Sequence, residues 1–83
     1  MIEERRGRPR RDLFRLGELL PDGALTSIDC LVRNASEGGA LIEVLETEGL
    51  PQTFWLKVET LRMNKRCQVA RRTKHLLGVI FIA

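Results

Sequence analysis

Apolar residues in this chain recur mostly at every second position, in short runs. Phe54, Leu56 and Val58 alternate with Trp55, Lys57 and Glu59, and Ile28, Cys30 and Val32 alternate with Asp29, Leu31 and Arg33. Ala40, Ile42 and Val44 form a third run, Cys67 and Val69 a fourth within Arg66 to Arg71, and Leu77, Val79 and Phe81 a fifth. A period of two is what a strand needs to bury one face and wet the other. Leu13 to Leu20 reads as a further strand, although its alternation is imperfect. Between the runs lie chain-reversal signals. Pro21-Asp22-Gly23 is a turn, and Asn34-Ala35-Ser36-Glu37-Gly38-Gly39 separates two alternating runs as a glycine-rich hairpin connection. Leu45 to Gln52, with Gly49 and Pro51, reads as a longer loop. Residues 42–48 and 57–64 have helix-forming composition but no sustained apolar stripe, so no helix is predicted. The expectation is an all-β fold. Some six short antiparallel strands hide their edges best by closing into a small barrel.

Length and charge refine that picture. With 83 residues there is room for one domain, and a core this thin is a poor setting for a deep catalytic pocket. Residues 12–83 carry the strand pattern. Residues 1–11 carry none, are broken by Gly7 and Pro9, and read as a flexible basic arm. Net charge is +3, and six of the 14 basic residues are arginines at positions 5, 6, 8, 10, 11 and 15. Such a concentration of cationic charge points to an anionic partner. The start of the chain lacks the apolar core of a secretory signal, and no apolar run approaches the roughly 20 residues of a membrane span. These features predict a cytoplasmic protein with reduced thiols at Cys30 and Cys67.

The candidate chemistry is binding, with no sign of catalysis. A single histidine, His75, leaves no metal-ligand set of the usual spacing. Ser36 has no nucleophile-elbow context, and carboxylates such as Glu43 and Glu46 read as solvent-facing groups. The two cysteines read as small buried hydrophobes. By contrast, Arg6 and Arg10 sit four apart on the arm, with Arg5 beside them. Each guanidinium can grip phosphate oxygens bidentately, pair with guanine O6 and N7, or stack on a base. Asn34 offers an amide for a base edge and Ser36 a hydroxyl, while Gly38 and Gly39 can take positive φ and admit a close approach. The plain alternatives are a solvated basic tail and a hairpin turn chosen for its backbone angles. Trp55, Ile80 and Ile82 fall on the outer face if Phe54, Val79 and Phe81 point inward. Together they suggest a partner or self-association surface, with Trp55 either an interface anchor or a plug at the barrel end.

Arg5-Arg6-Gly7-Arg8-Pro9-Arg10 resembles the paired-arginine form of the RxxxR motif of PilZ domains, and Asn34 to Gly39 resembles their [D/N]xSxxG motif. The two occur in the family's order, and Cys67-Gln68-Val69 and Gly78-Val79 resemble its last two strands. The resemblance implies a six-stranded PilZ-like barrel that binds cyclic di-GMP without catalysing a reaction. Asn34 and Ser36 would hold a guanine, Gly39 would clear space, and Arg6 and Arg10, aided by Arg5, would clamp phosphates and bases. Binding would order the arm and alter a downstream protein partner. An arginine at position 5 also suggests a stacked ligand dimer. Many relatives carry an aromatic residue near position 71 that covers a base; here Arg71 and Arg72 stand there, and a guanidinium plane can stack instead. A PilZ-like adaptor that binds only protein is the alternative. The small number of aromatic residues, Phe14, Phe54, Trp55 and Phe81, argues against a nucleic-acid-binding barrel, which needs stacking platforms.

Overall fold

In the computed structural model, residues 11–83 are described, with side chains from Phe14 onward. Six strands form: β1 (Arg11–Pro21), β2 (Ile28–Ala35), β3 (Gly39–Glu43), β4 (Thr53–Val58), β5 (Met63–Arg72) and β6 (Leu76–Phe81). A single 3₁₀ turn, Glu59–Leu61, links β4 to β5. All pairings are antiparallel, and the sheet closes in the order β1-β2-β3-β6-β5-β4. Among the described residues no helix is long and apolar enough to cross a membrane.

The alternation in the sequence becomes the inside and outside of the barrel. Phe54, Leu56 and Val58 are fully buried, whereas Trp55 and Lys57 between them are exposed. Ile42, Leu77 and Val32 meet them from β3, β6 and β2. Cys30 and Cys67 are buried free thiols in the same cluster. Removing a ring such as Phe54 from a core of this size costs about 3–5 kcal/mol.

The imperfect pattern of β1 has a steric cause. Leu19 points inward and is fully buried, but the inward position before it is Gly17. A Cβ there would lie 3.0 Å from the Lys57 carbonyl oxygen and 3.1 Å from Val58 Cγ2. Leu16 and Leu20 therefore fall on the outer face. Only residues 18–21 of β1 pair with β4, whereas pairing with β2 extends back to Arg11. The strand begins two residues before the expected Leu13 and ends one after the expected Leu20.

Three bulges interrupt the ladders. One lies between Asp12 and Arg15, where Phe14 adopts the left-handed φ of 49°. The others lie between Val32 and Asn34 in β2 and between Val69 and Arg71 in β5. An extra residue shifts the alternation by one. Asn34 and Arg71, which strict alternation would send into the core with Val32 and Val69, are turned outward instead.

The long loop after β3 is sewn to the β5–β6 turn. Buried Thr47 donates its hydroxyl to the Thr73 carbonyl, and Arg72 donates to Thr47 O at 2.6 Å and Gln52 Oε1 at 2.9 Å. His75 sits in the turn before β6, with Nδ1 2.8 Å from Leu45 O.

Candidate functional site

The β2–β3 hairpin opens onto a trough on the outer face, with a volume of about 540 Å³. Its walls and floor follow from the register. Asn34 pairs with Leu41, Leu41 with Gly78, and Gly78 with Arg71, which makes one continuous row across β2, β3, β6 and β5. Three strand spacings of about 4.8 Å separate the ends of that row, a span of about 14 Å. Ser36 and Gly39 line the hairpin side of the trough and Thr73 the other. The volume falls within the range of small-ligand sites.

Glycine shapes this trough in two different ways. At Gly78 a Cβ would make only ordinary contact, 3.4 Å from Arg71 Cβ. The fold would accept a methyl group there, and its absence deepens the hollow between Leu41 and Arg71. At Gly39 a Cβ would lie 2.2 Å from the Val79 carbonyl oxygen. Glycine is therefore required by the close approach of β3 and β6, whatever else Gly39 does for a ligand. Neither Gly38 nor Gly39 takes a positive φ; among the described residues the glycines that do are Gly23 and Gly49. The hairpin is held instead by Ser36 N–H donating to Gly39 O at 2.9 Å and Phe81 N–H donating to Gly38 O at 2.8 Å.

Asn34, Ser36 and Gly39 thus line one cavity, as their spacing suggests. Arg5, Arg6 and Arg10 lie outside the described residues. Of the two arginines considered for stacking on a base, Arg71 lines the same trough, and only the bulge at Ala70 puts it there. Arg72, its neighbour, is engaged with Thr47 and Gln52. Among the described residues, no hydrogen bond or ion pair ties down the side chains of Asn34, Ser36 or Arg71. The lining therefore offers an amide, two hydroxyls and a guanidinium beside the apolar side of Leu41. That set suits a flat, polar-edged, anionic ligand.

Other polar groups are engaged in structure. Arg33 pairs with Glu43 at 3.0 Å and lies over the Phe14 ring, 5.4 Å from its centroid. Arg66 donates to both carboxylate oxygens of Asp22, at 2.6 and 2.8 Å, and lies 5.6 Å from the Trp55 ring centroid. Those hydrogen bonds, with one from Thr53, hold the Asp22 carboxyl down to about 2. Burial pushes both thiols up to about 12, so Cys30 and Cys67 stay protonated at neutral pH. Among the described residues no cluster of His, Cys, Asp or Glu is built to hold a metal.

No protein-family model matches the chain, and no curated protein matches its sequence. The site must be judged on its own geometry.

Proposed function

We propose that the protein is a PilZ-like receptor domain for cyclic di-GMP, with the ligand held between the arginines of residues 5–10 and the trough beside the β2–β3 hairpin. One observation carries this reading. Arg11 pairs with Ala35 and Asp12 with Asn34, so the chain enters the barrel alongside the hairpin that bears Asn34 and Ser36. Covalent geometry keeps the Cα of Arg10 within about 4 Å of that of Arg11, and the Cα of Arg6 within about 18 Å. Both guanidiniums are thus within reach of a ligand in the trough.

Each part has a distinct task. Asn34 and Ser36 supply donors and acceptors for the edge of one guanine. Arg71 supplies a plane that can stack on a base from the opposite wall. Arg6 and Arg10, with Arg5, pair with the phosphates. Binding then fixes the arm against the barrel and changes the surface that a downstream protein meets. A second reading, a protein-binding adaptor, is favoured by the exposed Trp55 on another face. The two separate in one titration.

Calorimetry of the full chain with cyclic di-GMP, and with GTP as control, tests the proposal. Binding of cyclic di-GMP alone is expected, weakened roughly 10–100-fold by Arg6→Ala or Arg10→Ala, the effect of losing a charge-assisted contact. Undiminished affinity in both variants would refute the clamp, and no heat with either nucleotide would favour the adaptor.

A further inference from the structure

The far wall of the trough hangs on a strand end that has lost a neighbour. β5 pairs with β4 only as far as Gln68, opposite Thr53. Beyond that point residues 69–72 keep β6 on one side and have no strand on the other. A two-stranded end of this kind is marginal by itself. Yet Arg71 and Thr73, which line the trough, lie at this end.

The loop after β3 takes the place of the missing strand. Val69 N–H donates to Gln52 O at 2.8 Å, Thr47 N–H donates to Lys74 O at 3.0 Å, and Arg72 reaches back to Thr47 O and Gln52 Oε1. Thr47 is the centre of this lacing. It is the one buried polar side chain among the described residues, 3% exposed, and its hydroxyl donates to the Thr73 carbonyl. Valine would fill the same space, so the bond, and not the shape, accounts for a hydroxyl there. Thr73 is thereby held at three atoms. Its N–H donates to Leu76 O at 2.9 Å, its carbonyl accepts from Thr47, and its Oγ1 accepts from Leu76 N–H at 3.1 Å. With Oγ1 already accepting, the hydroxyl proton of Thr73 is left to donate to a ligand.

We propose that Thr47 is a positioning residue of the trough. Through the Thr73 carbonyl it fixes the wall that presents the Arg71 guanidinium and a second donor, the Thr73 hydroxyl, to the ligand. The bearing on the ligand rests on the cyclic di-GMP reading; the fixing of the wall does not.

Amide hydrogen exchange of the ligand-free full chain and calorimetry with cyclic di-GMP test the two parts separately. Thr47→Val leaves the Thr73 carbonyl without its partner. Exchange at the Thr73 and Leu76 amides is expected to quicken roughly tenfold or more, with the amides of Val32 and Leu56 far less affected, as in a local opening. Affinity falls roughly tenfold, and falls much less when Arg71→Ala is already present, because both residues act through one wall. Thr47→Ser, which keeps the hydroxyl, restores exchange and affinity. Were Thr47→Val to lose the fold, Arg72→Ala, which cuts the lacing from the strand side, carries the same expectation for exchange. Unchanged exchange at Thr73 and Leu76, or equal quickening throughout the barrel, would overturn the positioning role. Faster exchange with undiminished affinity would overturn its bearing on the ligand. A wild-type chain that takes no cyclic di-GMP would sink the nucleotide reading alone, and the exchange rates would still decide the role of Thr47.

Discussion

Arg66 and Arg71 lie five residues apart on one strand, and both point out of the barrel, yet they have opposite circumstances. Arg66 is held by two hydrogen bonds to Asp22 and by the Trp55 ring beneath it. Arg71 stands on the wall of a trough hollowed by Gly78, with no hydrogen bond or ion pair among the described residues. An arginine with its donors engaged and its plane covered stiffens a surface. One with its donors unmet can grip a ligand. The difference separates a face whose arginine is spent on packing from the face to which the proposed function assigns the ligand.

Substitutions can break or sharpen that contrast. The largest effect is expected at the glycine that the fold itself demands. Gly39→Ala forces a Cβ against the Val79 carbonyl oxygen, where backbone must shift, and costs about 2–3 kcal/mol in thermal or denaturant unfolding. Gly78→Ala, in ordinary contact with Arg71, leaves the melting curve nearly unchanged and acts on ligand binding. Equal destabilisation by both would show that the hollow at Gly78 is structural.

Next comes the contrast between the arginines themselves. Arg71→Ala is expected to weaken cyclic di-GMP binding roughly tenfold or more in calorimetry, with an unchanged melting temperature. Arg66→Ala lowers the melting temperature modestly and leaves binding intact, because a partly exposed ion pair contributes little. The reverse result would exchange the roles of the two faces.

The smallest effect concerns acid. Hydrogen bonds from Arg66, and then from Thr53, lower the Asp22 pKa from its ordinary 3.8 to about 2. A carboxyl whose pKa is lower in the folded state binds its proton more weakly there than in the unfolded chain. Its stabilisation is thus fully present above about pH 4 and is lost as pH falls through about 2. Asp22→Asn should remove this component from the acid limb of a stability–pH curve, while Arg71→Ala should leave it in place.

The strands were legible because burial on one face imposes a period of two, and each alternating run became a strand within a few residues of its expected ends. The site was legible only in part. Asn34, Ser36 and Gly39 share a cavity, and their turn chemistry announces a hairpin. Arg71 was harder to place, because its position depends on the bulge at Ala70. Bulges leave little trace in alternation, since one extra residue simply exchanges inside for outside. Asn34 depends on the bulge at Arg33 in the same way. The two reasons for glycine, close backbone approach at Gly39 and a hollow at Gly78, also separate only once neighbouring strands are in register. Trp55 and Ile80 were each foreseeable as outward-facing, but the pairing of Trp55 with Arg66 required the register of β4 with β5.

The most direct test of the binding face is a two-dimensional amide NMR titration of the full chain with cyclic di-GMP. The account predicts concentration-dependent shifts concentrated at residues 34–41 and 70–79, with Leu20, Trp55 and Arg66 nearly unmoved. A spectrum that does not change, or one whose shifts gather around Trp55 and Arg66, would contradict it.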